Sequence, residues 1–292
     1  MEHALRRRIE ELLTLYDLEP TLRDLYVEGP HDKRVFDWFL GITGCRQVTI
    51  FDIDTVDIGS KILERLKLKS GNRGLVIALA ILLEQSLEGD VKYVRCIADS
   101  DFDFVLGFKH NSEYLLYTDY TSLDLYFFDL PAIEKYLKLG VKRMPRSGKD
   151  IYANFSNVLR EIFFIRAANE KLGWHLKWLS FKRYLRLDQN LVRFDGQKFI
   201  HNYLTNNGRG TDISKFERTV GQLRGVRVQN VRCCIGGHDI FELLGWYVSK
   251  ITKKSSSRFR DPLVVQSMLC CAVDVSSLQK EQLFGQLLRL YK

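Results

Sequence analysis

Asp99, Asp101 and Asp103 alternate directly after the apolar run 93–98. In a strand, residues two apart share a face, so this spacing predicts three carboxylates projecting together from a strand end. Like charges held that way repel unless a cation sits among them. The usual partner is a hard divalent ion such as Mg2+, bound by one or two carboxylates and otherwise by water and substrate phosphate; Mn2+ can take its place. Glu28 ends a second apolar run, Leu25, Tyr26 and Val27, and is followed by Gly29 and Pro30. Phosphoryl chemistry needs charge neutralised on the scissile phosphate and a proton acceptor or donor beside it. Asp99 and Asp101 suit the first task. Glu28 suits the second, or a share in the metal. Asp103 is a candidate outer-sphere partner or second-metal ligand. Asp52 and Asp54 form a further D-x-D after the run 48–51, but without a matched glutamate they read as loop or cap.

The elements that must position these acids follow from periodicity. Residues 3–17 read as an amphipathic helix. Short buried strands are expected at 23–28, 48–53, 93–98, 114–118 and 123–128. Helices are expected from His31 onward with Val35, Phe36, Phe39 and Leu40 inward, then at 58–68, 72–87 and 130–139. Strands alternating with helices predict an α/β fold, a mostly parallel sheet flanked by helices. In such sheets ligands bind beyond the carboxyl ends of the strands, where Glu28 and Asp99 are both expected. A composition shift around 140–150 (Gly140, Lys142, Arg143, Pro145, Arg146, Gly148, Lys149) suggests a boundary. The domains are therefore expected as an N-terminal helix over 1–19, a catalytic domain over 20–145 and a basic, mainly helical region over 146–292. Within the last, helices are expected at 150–172, 239–252, 262–272 and 276–290, a strand at 226–235, and loops at 188–214 and 253–260.

The net charge of +8 is unevenly spread. Residues 1–145 carry 19 Lys and Arg against 24 Asp and Glu; residues 146–292 carry 25 against 12. An acidic front half and a basic back half suggest metal held in one and a polyanion in the other. No run of about 18 apolar residues is present, so no transmembrane helix is expected. The charged N-terminus lacks the apolar core of a secretory leader. The six cysteines form no C-x-x-C, which argues against a zinc site or a disulfide framework and for a cytoplasmic setting. Residues 146–149 lack the preceding glycine of a P-loop, which excludes nucleotide binding there.

Candidate contacts to nucleic acid lie in the basic half. The run 174–186 interleaves Trp174, Trp178, Phe181 and Tyr184 with Lys177, Lys182, Arg183 and Arg186. Such a surface can stack unpaired bases and neutralise phosphate; the alternative is a helix with its aromatics in the core and its cations in water. Lys253 and Lys254 are candidates for tracking a backbone, or belong to a solvated loop. His238 can contact phosphate or protonate a leaving oxygen, or else pair with Asp239 at a helix N-terminus. Cys233 and Cys234 read as buried thiols.

The segment Tyr26, Val27, Glu28, Gly29, Pro30, His31 and Asp32 resembles the V-E-G-x-x-D signature of TOPRIM domains, and Asp99 with Asp101 resembles their D-x-D strand end. Residues 70–74 (Ser-Gly-Asn-Arg-Gly), Thr118 and Asp119 followed by Leu123 and Asp124, and Gly237, His238 and Asp239 resemble the DUF4435 branch, which includes a nuclease effector of PARIS-type anti-phage defence. The resemblance implies a TOPRIM-like core and a metal-dependent endoribonuclease that cuts tRNA in abortive infection once freed from a partner ATPase of the ABC/SMC type. It implies Glu28, Asp32, Asp99 and Asp101 as catalytic, Glu28, Asp99, Asp101 and Asp103 around the metal, and Asp124 as an acid of the same cleft. A homodimer is a further expectation, since two sites would then flank one folded RNA. Alternatives are a TOPRIM DNA endonuclease and a non-catalytic scaffold that binds nucleic acid or the ATPase.

Overall fold

The computed structural model describes residues 6–45, 47–87, 91–252 and 257–292. The chain forms two compact units. The first comprises residues up to Ser100, then Lys109–Asp119 and Val275–Lys292; the second comprises Asp101–Phe108 and Tyr120–Asp274.

The first unit is α/β. In chain order it holds β1 (Arg7–Arg8), α1 (Ile9–Leu18), β2 (Asp24–Val27), α2 (Pro30–Ile42), β3 (Thr49–Asp52), β4 (Val56–Asp57), α3 (Ser60–Arg65), α4 (Asn72–Ser86), β5 (Arg95–Ala98) and β6 (Leu115–Tyr117). The main sheet has the order β3-β2-β5-β6, and every neighbouring pair is parallel. From β2 the chain moves outward to β3 through α2, then returns across β2 to β5 through α4. Right-handed crossovers place those two helices on opposite faces. The packing agrees. Tyr26, Cys96 and Ala98 share a buried cluster with α4 and with Ile9, Leu12 and Tyr16 of α1. Leu25, Val27 and Ile97 alternate with them and are equally buried, which places them on the other face. Phe36 and Phe39 of α2 pack against Phe284, tilted at 5.6 Å and edge-on at 4.6 Å between ring centroids. Phe284 lies on the C-terminal helix Gln282–Tyr291, whose Leu283 N–H is capped by Asp119 Oδ2 at 3.1 Å.

The second unit is mainly helical. It begins with α5 (Asp103–Leu106) and continues with α6 (Leu130–Lys135), α7 (Gly148–Leu172), β7 (Leu185–Asp188), β8 (Leu191–Phe194), α8 (Gly196–Asn206), α9 (Ile213–Arg224), α10 (Gly237–Ile251) and α11 (Pro262–Ala272). Its frame is α7, which buries Ile151, Phe155, Leu159, Ile162 and Phe163.

Several expectations are corrected. Residues Leu123–Phe127 form a short 3-10 helix, not a strand, and so do Val231–Cys234. Short apolar runs look the same in either state. The segment read as loop over 188–214 contains β8, α8 and the start of α9. Residues 174–180 are irregular rather than helical. The helix expected from residue 3 starts at Ile9. The compact units also divide the chain away from the boundary suggested near 145: residues 120–145 group with the helical unit and 275–292 with the sheet. Among the described residues, no helix is long and apolar enough to cross a membrane.

Candidate active site at the strand ends

The order β3-β2-β5-β6 reverses direction between β2 and β5. In open α/β sheets that crevice, at the carboxyl ends of the strands, is where ligands bind. Glu28 directly follows β2 and Asp99 directly follows β5, so both stand there. The two strands pair through Leu25 with Arg95 and Tyr26 with Cys96, which sets Glu28 level with the end of β5. The Asp99 N–H donates to Glu28 Oε1 at 2.7 Å. A backbone amide aimed at a carboxylate fixes its position. Both residues are half-buried.

The N-terminus of α4 holds the pair in place. Asn72 Nδ2 donates to the Glu28 carbonyl at 2.6 Å, and Arg73 Nε donates to the Asp99 carbonyl at 2.7 Å. Two successive residues of one helix thus secure the two strand ends. The turn that presents them needs glycine twice. Gly71, the residue before α4, has φ +123°, a region L side chains rarely adopt. At Gly74 a Cβ would lie 2.0 Å from the Lys69 carbonyl oxygen. The segment 70–74 carried no chemical role in the sequence reading; its function is to deliver Asn72 and Arg73. Beyond β5, Ser100 N–H donates to Thr118 Oγ1 at 3.0 Å and Ser100 Oγ donates to the Thr118 carbonyl at 2.7 Å. The chain leaving the site is therefore tied to the end of β6.

The expectation that Asp99, Asp101 and Asp103 alternate along one strand face is not met. The strand ends at Ala98, before the first of them. Asp101 has φ +43°, a left-handed turn that aspartate tolerates better than most residues. Asp101 and Asp103 open the second unit. There Asp101 is exposed and its N–H donates to the Thr121 carbonyl at 2.8 Å. Asp103 is buried as the first residue of α5. Asp32 sits in the first turn of α2, where its Oδ2 accepts the Gly29 N–H at 3.2 Å. That contact gives it a role in shaping the turn after Glu28. Asp52 ends β3, and Asp54 lies in the short 3-10 helix after it.

Among the described residues, no three His, Cys, Asp or Glu side chains gather as a metal-holding group. Mg2+ does not need one: it binds through one or two carboxylates and takes water and substrate phosphate for the rest. Glu28 and Asp99, two carboxylate-bearing residues on neighbouring strand ends, fit that mode.

In the second unit, Lys177 is exposed on an irregular segment whose backbone is clamped by Asn207: the Lys177 N–H donates to Asn207 Oδ1 at 2.9 Å and Asn207 Nδ2 donates back to the Lys177 carbonyl at 3.0 Å. Lys182 pairs with Glu242 at 3.5 Å. Arg183 is exposed, as is Arg186, which stands opposite Arg193 in the β7–β8 ladder. The interleaved aromatics are engaged by other rings. Trp174 packs on Phe216, and Trp178 on Phe199 and Tyr203. Phe181 is buried, whereas Trp174, Trp178 and Tyr184 are half-buried. His238 does not pair with Asp239 as one reading expected. Asp239 is buried and makes a two-pronged bond to Arg166 at 2.8 and 3.0 Å. His238 is largely exposed, with Nδ1 3.7 Å from Asp124 Oδ2. Asp124 also accepts from Gln266 Nε2 at 2.9 Å. Cys233 and Cys234 are buried free thiols. Lys253 and Lys254 lie outside the described residues.

No family model and no curated protein matches this chain.

Proposed function

We propose that this protein is an Mg2+-dependent endonuclease of the TOPRIM type and the DUF4435 branch, acting on RNA and, within RNA, on tRNA. The observation that carries the enzymatic part is the Asp99 N–H bond to Glu28 Oε1 at the sheet's switch point. It brings two acid-bearing strand ends into register where α/β sheets bind their ligands. Bound Mg2+ would neutralise charge on the scissile phosphate. Glu28, held by the Asp99 amide, takes or returns the proton at the reacting oxygen. Asn72 and Arg73 keep the two strand ends in place during turnover. We assign Asp99 as the principal metal-facing acid, with Asp101 and Asp103 in support on the sequence pattern, and exposed Lys177, Arg183 and Arg186 as phosphate contacts. The RNA substrate, a role in abortive infection and restraint by an ABC/SMC-type ATPase follow from the sequence resemblance. The excess of cations in residues 146–292 suits both a polyanionic substrate and an acidic partner surface.

The test uses Glu28→Gln, which keeps the acceptor for the Asp99 N–H and removes the charge. Wild type and variant are expressed in cells and RNA ends are sequenced. New tRNA ends with wild type alone are expected, with cleavage by purified variant down about a hundredfold or more and abolished in wild type by EDTA. Unchanged cleavage in Glu28→Gln would sink the mechanism. Fragmented DNA beside intact RNA would overturn the substrate assignment and leave the chemistry.

A further inference from the structure

The opposite end of the same sheet carries a second concave site of the opposite charge. A half-open cleft of about 520 Å³ lies at the amino ends of β2, β5 and β6, and among the described residues it is lined by Arg23, Lys92, Arg95, Arg289 and Lys292 against one acidic side chain, Glu113. Strands of four residues separate it from the Glu28 end by about 13 Å or more. The two sites therefore share the sheet without sharing residues.

Five cations around one cleft repel each other, and two of them are locked in place. The Arg23 guanidinium lies 4.8 Å over the Tyr93 ring, and its Nη1 donates to the Tyr291 carbonyl at 2.9 Å. Arg95 Nη1 donates to the Val94 carbonyl at 2.6 Å, and its guanidinium lies 5.9 Å from the Tyr114 ring centre. Both are half-buried, whereas Lys92, Arg289 and Lys292 are exposed around them. A guanidinium carries five N–H donors in a planar fork that matches phosphate. Fixing it beforehand lowers the entropy lost on binding. The cleft volume falls within the range of small-ligand sites, about 300–1,000 Å³. Its cations line one concavity, which suits several negative charges on one small molecule better than a chain of spaced phosphodiesters.

We infer that this cleft is a binding site for a ligand bearing two or more linked phosphates, whether a free oligophosphate or the phosphate tail of a nucleotide.

Isothermal titration of the full chain, in EDTA, with tripolyphosphate, ATP and adenosine tests it. One-to-one binding of tripolyphosphate and ATP is expected, with none of adenosine. The exposed pair Lys92→Glu with Arg289→Glu should weaken binding by about tenfold or more. If that pair unfolds, Lys92→Gln with Arg289→Gln replaces it, with the same direction. Glu28→Gln should bind as wild type does, which separates this site from the proposed catalytic one. ATP binding much more tightly than tripolyphosphate assigns a nucleotide; equal binding assigns the oligophosphate alone. No heat at about 1 mM ligand, or binding untouched by either cleft variant, overturns the inference. So does a short single-stranded RNA that binds more tightly than tripolyphosphate and is lost in the same variants, because the cleft then belongs to nucleic acid.

Discussion

At the scale of single residues, the chemistry of the sheet depends on polar groups buried close to it. Asp24 opens β2 and is almost fully buried. Its Oδ2 accepts from the Tyr16 hydroxyl at 2.9 Å, and that hydroxyl lies 2.6 Å from the Tyr26 hydroxyl. Burial pushes the Asp24 carboxyl above its ordinary 3.8, while the Tyr16 bond and nearby Arg7 oppose the rise. A carboxyl whose folded pKa is raised stabilises the fold fully below its unfolded pKa. That contribution is lost as pH climbs through the raised value. Asp24→Asn keeps an acceptor for Tyr16 and removes the charge. Its melting temperature should therefore fall less than that of wild type between about pH 4 and pH 7, read by thermal denaturation across that range. At the strand ends, Arg73→Ala should cut turnover and leave substrate KM nearly unchanged, because Arg73 bonds to the Asp99 carbonyl and steadies the site. A loss of about tenfold in kcat is expected; an effect confined to KM would show that Arg73 binds substrate instead.

At the scale of elements, what was legible and what was not divides by the kind of signal. The strands β2 and β5 were readable because continuous apolar runs end abruptly in an acid. Helices α2 and α4 were readable from their spacing and from Gly29 and Gly71 before them. The hairpin of β7 and β8 was missed because its turn, Gln189 and Asn190 with φ +47° and +62°, is a left-handed pair without the glycine that usually announces it. Helix α8 was missed inside a polar stretch, although Asp195 caps it through the Lys198 N–H, and Phe199, Ile200, Tyr203 and Leu204 recur at helical spacing. For the candidate site, the sequence placed Glu28 and Asp99 at strand ends, where they stand. It misjudged the geometry of Asp101 and Asp103, since nothing in an alternating D-x-D-x-D reveals that the strand stops one residue before it. The same scale holds the ion pair that ties α7 to α10. Asp239 is nearly fully buried against Arg166, whose guanidinium also lies 3.9 Å over the Trp178 ring. Removing one partner strands a buried charge, at a cost of about 3–5 kcal/mol. Arg166→Ala should lower the unfolding free energy by that amount, read from denaturant titration, and Asp239→Asn paired with Arg166→Met should recover much of it.

At the scale of the whole molecule, the chain passes between its two compact units four times. The last passage brings residues 275–292 back to the sheet-bearing unit. There Leu283, Phe284, Leu287 and Tyr291 are each no more than 2% exposed. Burying four such side chains is worth about 6–12 kcal/mol at 1.5–3 kcal/mol each, comparable to the whole stability of a domain. Deleting 282–292 should therefore abolish cooperative unfolding of the first unit and raise dye binding by exposed apolar surface, measured by circular dichroism and ANS fluorescence. No local pattern in the sequence announces this return. The C-terminal helix is amphipathic by its spacing, but which surface it covers is a long-range pairing that periodicity does not encode.

Asp119 and its grip on Leu283 have a consequence for synthesis. Residues 1–119 supply every strand of the main sheet, yet the helix that packs on Phe36 and Phe39 is synthesised only after the whole of the second unit. Until it docks, those two rings lack their contact with Phe284. A chain released early, from a broken message or a stalled ribosome, carries Glu28 and Asp99 on an incomplete support and offers exposed aromatics to proteases and chaperones. Translation through Tyr291 is thus a condition for completing the support of the site, and a copy that stops short of it is expected to be cleared faster than one that does not.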